Sequence, residues 1–95
     1  MLNYELICIF NPDIKDEKLS DVLNKVSDSI KKIGGNVTEV AQWGKKRLAY
    51  PIRKHFEGNY VFTSLQVEPI SAKQLEANLR SFDEVIRYLL IKLKP

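Results

Sequence analysis

The sequence has little of what most enzyme sites and disulfide frameworks need. Its 95 residues include one cysteine, Cys8, and one histidine, His55. A single cysteine excludes an internal disulfide framework, which fits a reducing compartment. One cysteine and one histidine far apart along the chain are a poor nucleophile and base, and no metal-ligand set or phosphate-binding loop is present. The sequence therefore predicts a protein that is not an enzyme and uses no cofactor, metal or small-molecule substrate.

Long hydrophobic runs and a large excess of charge are also missing. No apolar run approaches the length that spans a membrane, and no targeting segment is visible, so we expect a cytoplasmic protein without a membrane partner. The net charge is +3, which means that any affinity for nucleic acid must come from clustered cations. The length and the hydrophobic content of 44% predict one domain over residues 1–95 with a modest core.

One cluster of cations does stand out, in the segment of residues 43–54. Trp43 precedes Gly44, and Lys45, Lys46 and Arg47 follow at once. No Asp or Glu lies between positions 39 and 57, so no nearby carboxylate neutralises these cations. A positive segment beside aromatic and apolar residues is a plausible surface for nucleic acid or a partner. A solvated basic hairpin is the alternative, and charge alone does not decide between them.

Hydrophobic spacing predicts six elements in the order strand, helix, strand, strand, helix, strand. Period-two alternation predicts strands over residues 2–10, 37–52, 59–67 and 85–93. Apolar residues three and four apart predict a helix over residues 14–33 and a shorter one from residue 69 to near 81. Residues 54–58 are predicted to form the turn of a long hairpin, with Gly58 as its flexible position and His55 on its surface.

The helix ends carry recognisable signals. Asp13 is the predicted N-cap of the first helix, and Gly34 is predicted to take the left-handed position after its end. Ser71 and Gln74 have the spacing of a capping box for the second helix. Ile70 is then a candidate for a hydrophobic staple.

Right-handed crossovers and a hairpin between the second and third strands give one topology. It is an α+β, ferredoxin-like split βαβ fold (βαββαβ), with a four-stranded antiparallel sheet in order 4-1-3-2 and two helices on one face. Strand two is then an edge, which suits Pro51 because proline cannot donate to a sheet ladder. The other face of the sheet is predicted to carry an apolar patch large enough to expect a partner: Ile7, Ile9, Tyr60, Phe62, Leu89 and Ile91.

These positions suggest two groups of candidate contacts. Phosphates of RNA are the expected ligands of the first group, for which solvated charge is the alternative: Lys45, Arg47, Arg87, Lys92 and Asn3. A protein partner is the expected ligand of the second group, along the edge strand: Trp43, Lys46, Leu48 and Tyr50.

The alternative to these contacts is that the protein binds single-stranded RNA on its sheet face, as RRM domains do. RRM domains share this topology and stack bases on strand aromatics, and Tyr60 and Phe62 follow Gly58 on the third strand. The basic-Gly-aromatic-Gly-aromatic order is missing, since Glu57 precedes Gly58 and Asn59 follows it. These aromatics are therefore predicted to be structural or to contact a partner.

The segment Gly44-Lys45-Lys46-Arg47-Leu48-Ala49-Tyr50-Pro51-Ile52-Arg53 resembles the signature of the family of the sixth protein of the bacterial small ribosomal subunit. Tyr4-Glu5, Asn11-Pro12, Gly34-Gly35 and Leu79-Arg80 also match this family. The resemblance implies a ferredoxin-like fold and a structural role in the ribosome. It further implies that the protein forms a heterodimer with the eighteenth small-subunit protein. This heterodimer is expected to bind the central domain of the small-subunit ribosomal RNA. For RNA contact the resemblance favours the set on strand four.

Overall fold

A computed structural model describes residues 1–94 of the chain. The predicted order of elements is confirmed: β1 (Leu2–Phe10), α1 (Asp16–Lys32), β2 (Asn36–Ile52), β3 (His55–Val67), α2 (Pro69–Arg80) and β4 (Val85–Lys92). The sheet order is β2-β3-β1-β4, and all three strand pairs are antiparallel. This is the predicted order 4-1-3-2 read from the opposite edge. The α+β, ferredoxin-like prediction is therefore confirmed.

The main core lies between the sheet and the two helices. Alternate residues of β1 point into it, and Leu6 and Phe10 are both fully buried. Ile30 on the apolar face of α1 and Leu75 on that of α2 pack into the same core, and neither side chain is exposed. Each such side chain contributes about 1.5–3 kcal/mol on burial. Both helices therefore cover the same face of the sheet, which leaves the other face without a helix.

Cys8 also belongs to this core. Its side chain is 2% exposed, and desolvation by burial raises the pKa of the thiol from 9.0 to about 12. The thiol is therefore neutral at physiological pH, and a neutral buried thiol is a poor nucleophile.

The predicted N-cap of α1, Asp13, is wrong, whereas the predicted left-handed conformation of Gly34 after the helix is confirmed. Lys15 is the N-cap, without a side-chain cap bond, while the backbone N–H of Asp13 donates to Oδ1 of Asn11 at 2.9 Å. A local Asx turn thus uses the residues before the helix. At the other end Gly34 has φ +84°, and Gly35 N–H donates to the carbonyl of Ile30 at 2.9 Å. This is the bond pattern of a Schellman motif.

The predicted capping box of α2 is not formed. The helix begins at Pro69 with Glu68 as N-cap, and Ser71 lies inside the first turn, where its N–H donates to the carbonyl of Glu68 at 2.9 Å. Ile70 is 84% exposed, so it makes no hydrophobic staple. Proline has a helical φ and no N–H to satisfy, which makes the first helical position favourable for Pro69 and starts the helix early.

The β2–β3 hairpin is longer and tighter than predicted. The turn consists of Arg53 and Lys54, with φ values of 49° and 67°, and His55 is already paired with Ile52 in the sheet. Two positive φ values are what a two-residue hairpin turn of the right twist requires. The predicted turn at residues 54–58 is therefore wrong, and Gly58 is a buried strand residue.

Candidate partner and RNA interface

The sheet face opposite the helices, called the open face below, carries the predicted apolar patch. The strand register places Ile7 beside Phe62 and Leu89, and Leu89 is 53% exposed. The next residue on this face is Ile9, which lies beside Tyr60 and Arg87. All six predicted patch residues share this face. Ile9 is nevertheless only 8% exposed, so something within the chain covers that end of the face.

The cover is a segment of β2, residues 48–51, which we call the strap. Arg47 is opposite Glu57 and Ile52 is opposite His55, so β2 has four residues where β3 has one. Such an extra length bends a strand out of its ladder. Pro51 lies in the strap, where its missing N–H costs no sheet bond.

The strap lies over the open face and reaches from the β2 edge to β4 at the other edge. Leu48 is buried and packs against Ile9 and Ile86. Tyr50 is exposed, and its hydroxyl accepts a hydrogen bond from the guanidinium of Arg87. The Arg87 Cζ atom is also 5.8 Å from the centre of the Tyr50 ring. The strap is therefore held at one end by apolar packing and in its middle by a polar bond.

Gly58 allows the strap to lie this close. A Cβ atom at Gly58 would overlap deeply with Cγ2 of Ile9 and would be 3.5 Å from Cδ2 of Leu48. A Cβ atom would therefore displace Ile9, whereas its distance to Leu48 is an ordinary van der Waals contact. The glycine is required here because Ile9, which packs beneath the strap, approaches the backbone of β3 so closely.

A second irregularity of β2 places Trp43 on the open face. Gln42 is opposite Val61 and Gly44 is opposite Tyr60, which leaves Trp43 as an extra residue. Gly44 has φ +82°, a conformation that glycine adopts without cost. The edge strand thus turns an aromatic side chain onto the face instead of away from it.

The Trp43 ring is stacked and capped by a cation. It lies on Phe62 with the ring centres 5.5 Å apart and the planes 9° apart. Nζ of Lys46 is 5.2 Å from the centre of the Trp43 ring and 6.0 Å from that of Tyr60. Trp43 remains 46% exposed. This arrangement offers a partner a rigid aromatic surface with a positive charge on it.

A cavity of about 270 Å³ lies between the strap and the sheet. Its walls are aliphatic and phenolic, with Ile7, Ile9 and Leu48 among them, and of residues 1–94 Arg87 is the only charged one that lines it. The cavity is therefore an apolar site with a single cation.

The structure brings together only part of the predicted contact set. Trp43, Lys46, Leu48 and Tyr50, predicted to contact a protein, lie on the open face together with Arg87, predicted to contact RNA. Leu48 is 9% exposed and thus supports the strap more than it offers surface.

The other predicted RNA contacts lie elsewhere. Asn3 is at the far end of the open face, about 20 Å from Arg87 at about 3.3 Å per strand residue, and its Oδ1 accepts from the Gln66 amide at 3.1 Å. Lys92 is paired with Tyr4, whose ring is in the main core, so Lys92 belongs to the helix side. Lys92 and Arg87 therefore do not share a surface.

Lys45 and Arg47 also belong to the helix side of the sheet. Their partners in the ladder are Asn59 and Glu57, which alternate with the open-face residues of β3. Lys45 lines a groove with Lys54 and Asp13 near the turn of the hairpin. The basic segment is thus divided between both faces, with Lys46 on one and Lys45 and Arg47 on the other.

Two features of the site had no usable sequence signal. The bond between Tyr50 and Arg87 joins residues 37 positions apart, and no local pattern connects them. The strap depends on the register of β2 against β3, which alternation alone does not reveal. Gly58 does carry a sequence signal, since a glycine inside an apolar strand marks a close approach, but its neighbours also fit a turn, and the sequence pattern favours the turn.

Within residues 1–94 no group of three or more His, Cys, Asp and Glu residues is placed to hold a metal ion. No helix among these residues is long and apolar enough to span a bilayer.

A four-stranded antiparallel sheet with two helices on one face, and an aromatic, partly basic surface on the other, defines a small α+β domain of the ferredoxin-like type. The family model described as ribosomal protein S6 matches residues 3–92. The small ribosomal subunit protein bS6 of Moorella thermoacetica is 44% identical over 94 residues, which cover 99% of this chain and 96% of that protein. The corresponding protein of Desulforamulus reducens is 34% identical over 92 residues, covering 97% of each chain.

A solved structure agrees with these sequence matches. The crystal structure of 30S ribosomal protein S6 from Thermotoga maritima superposes with a TM-score of 0.91 and 25% identity, covering 97% of this chain and 87% of that one. The chain belongs to the ribosomal protein S6 family. It is a structural component of the small ribosomal subunit in the cytoplasm, and it is not an enzyme.

Proposed function

We propose that this chain binds the central domain of the small-subunit ribosomal RNA as a heterodimer with the eighteenth small-subunit protein. The observation that carries the proposal is the open face, where exposed aromatic and aliphatic side chains lie beside Lys46 and Arg87. Exposed apolar patches of this kind mark interaction sites on small soluble domains.

The protein partner docks on the open face and on the side chains that β2 contributes to it. The outer edge of β2 is interrupted by three register shifts, so it does not offer an uninterrupted ladder for an added strand. Trp43 and Tyr50, both close to half exposed, have the size and rigidity of interface anchors. Side-chain packing is therefore the main source of affinity here, with few main-chain bonds.

RNA contacts come from cations at several separate places. Lys45 and Arg47 project at the β2 edge on the helix side, Lys92 lies on the helix side of β4, and Asn3 lies at the far end of the open face. Scattered cations neutralise few phosphates at once, so the isolated protein binds RNA weakly. The partner supplies the remaining contacts and holds this chain in position on the RNA.

The open face supports a single-stranded RNA reader less well. Base stacking needs free aromatic faces. Phe62 is stacked under Trp43, and Tyr60 is half-buried beneath Lys46. Both aromatics that would serve an RRM-type reader are engaged by side chains of the same protein.

A calorimetric titration of the two proteins without RNA tests the heterodimer, with Lys46→Glu as the test variant. Reversing the charge beside Trp43 is expected to weaken heterodimer affinity about fivefold to thirtyfold, which is about 1–2 kcal/mol. The variant is expected to lose only about 0.5–1 kcal/mol of stability, the size of one exposed cation–π contact. Lys73→Glu, which reverses an exposed charge on α2, is the matched control and leaves the affinity unchanged.

Footprints of the ribosomal RNA, with this protein alone and with both proteins, test the RNA part of the proposal. We expect protection to need both proteins and to weaken as salt rises. If Lys46→Glu keeps full heterodimer affinity but loses the footprint, the open face contacts RNA and not the partner. Tight binding of RNA by this protein alone, insensitive to salt, would contradict the proposal.

A further inference from the structure

Arg87 is an exposed cation with a neutral partner. The ion pairs of residues 1–94 do not include it, and its guanidinium donates to the Tyr50 hydroxyl. Because the Tyr50 oxygen accepts this bond, the hydroxyl proton is directed away from Arg87 and is available to another acceptor. A guanidinium has five N–H donors, so Arg87 also has donors left. Two neighbouring groups thus offer hydrogen bonds to one anion.

The adjoining cavity has the size and lining of a side-chain pocket. Its volume of about 270 Å³ is just below the roughly 300–1,000 Å³ that is usual for small-molecule sites. Ile7, Ile9 and Leu89 line it, together with the inner side of the strap. The cavity is thus large enough for an apolar side chain of another protein segment.

We propose that this cavity and the Arg87–Tyr50 pair form one subsite, which takes an apolar side chain and a nearby carboxylate from a protein segment. The subsite adds a binding pocket to the proposed function. It rests on that function only for the identity of the protein that supplies the segment. In an extended segment the two groups are two residues apart, since alternate side chains share a side. The carboxylate then accepts from Arg87 and Tyr50 while the apolar side chain fills the cavity.

The lining of the cavity favours a protein segment over a nucleotide. Apart from Arg87 and the tyrosine hydroxyls, the described lining has none of the side chains that form hydrogen bonds with base edges, since it contains no amide, carboxylate, serine or threonine. Tyr60, which also lines the cavity, lies beneath Lys46. A site with one cation and aliphatic walls is complementary to an acidic, apolar peptide.

Nuclear magnetic resonance titration of the whole protein with acetyl-Leu-Ala-Asp-amide tests the subsite directly. We expect weak binding that shifts the methyl signals of Ile7 and Leu89 and the guanidinium signal of Arg87. Two control peptides separate the two requirements. Replacing Asp by Asn removes the charge, replacing Leu by Ala removes the anchor, and each is expected to reduce affinity severalfold. Uridine monophosphate provides the nucleotide arm and is expected to bind more weakly than the peptide.

Variants of the protein test the roles of the two donors. Tyr50→Phe keeps the ring and removes the hydroxyl, and is expected to weaken peptide binding about threefold to tenfold. Arg87→Gln is expected to weaken it about tenfold or more, because the bond to the carboxylate is charge-assisted. Arg80→Gln is the matched control. Arg80 also donates to a tyrosine hydroxyl, that of Tyr88 at 2.9 Å, but it lies at the end of α2.

Several results would overturn the subsite. Equal binding of the Asp and Asn peptides would show that Arg87 holds no anion. Tighter binding to Tyr50→Phe would show that Tyr50 blocks Arg87, and stronger binding of the nucleotide would assign the site to RNA. If the wild-type heterodimer forms but no peptide binds, the subsite fails and the proposed function stands. If peptides bind but no heterodimer forms, the proposed function fails alone.

Discussion

Gly58→Ala is the substitution that tests how closely Ile9 packs against the backbone of β3 beneath the strap. The added methyl group would enter the space now shared by Cγ2 of Ile9 and Cδ2 of Leu48. Ile9 branches at Cβ, so its Cγ2 atom moves only by a change of rotamer or of backbone position. The surrounding strands restrict both, since Ile9 lies in β1 between β3 and β4.

The expected cost of Gly58→Ala is about 1–3 kcal/mol, the usual range for an extra methyl group in a packed site. Urea denaturation measures it as a lower transition midpoint with an unchanged slope. The strain falls on Ile9, because the new Cβ atom would lie at an ordinary contact distance of 3.5 Å from Cδ2 of Leu48. Since Ile9 packs beneath the strap, we also expect lower heterodimer affinity, which a melting curve alone would not reveal.

A comparison with Gly44→Ala separates crowding from backbone conformation. Nothing lies within 4 Å of a Cβ at Gly44, but its φ of +82° opposes any side chain, so the cost is about 1–2 kcal/mol without crowding. Adding Ile9→Ala is expected to recover about 0.5–3 kcal/mol of the Gly58→Ala loss through coupling. The same addition leaves the Gly44→Ala loss unchanged. Additive effects of Gly58→Ala and Ile9→Ala would refute the proposed crowding.

Three other predictions follow from burial and exposure. Burial raises the pKa of Cys8 from 9.0 to about 12. The buried neutral thiol therefore contributes its full stability below about pH 9. This stability is lost as pH rises towards 12, by up to about 1.4 kcal/mol per pH unit, because the thiol ionises first in the unfolded chain. The difference in unfolding free energy between wild type and Cys8→Ala across this range measures it, and a constant difference would contradict it. Ile30→Ala, at a fully buried site, is expected to cost about 2–5 kcal/mol in urea denaturation, whereas Ile70→Ala on the surface changes stability by less than about 0.5 kcal/mol. Trp43, the only tryptophan, is expected to show a blue-shifted fluorescence maximum when the partner binds, and an unchanged spectrum would place the partner elsewhere.

The sequence was sufficient for the topology because its hydrophobic periods differ clearly between elements. Leu6 and Phe10 alternate in β1, and the stripe that ends at Ile30 has helical spacing, so burial followed the predicted pattern. Helix starts were less predictable because several residues compete for each cap. Asn11 forms a turn with the backbone of Asp13, so Asp13 is not the N-cap of α1.

The sequence predicted which residues belong to the site but not how they are arranged in space. Trp43, Lys46 and Tyr50 were identified from composition and resemblance, yet the prediction placed them along an edge and the structure places them over a face. Alternation assigns a strand residue to a face only if the register has no insertion. β2 has three register shifts, and each changes the assignment of the residues after it.

The central position of β1 has a consequence for how this protein is made. Leu6 in β1 pairs with Thr63 in β3 and with Leu90 in β4, so its first neighbour is synthesised 57 residues after it and its second neighbour 84 residues after it. The β2–β3 hairpin closes locally through its two-residue turn and can offer β1 one edge as soon as β3 has emerged. Until then both edges of an aliphatic strand are unpaired, which favours aggregation of nascent chains. Only α1 follows β1 closely enough to shield it, so during translation the first apolar contacts of β1 are with that helix rather than with another strand.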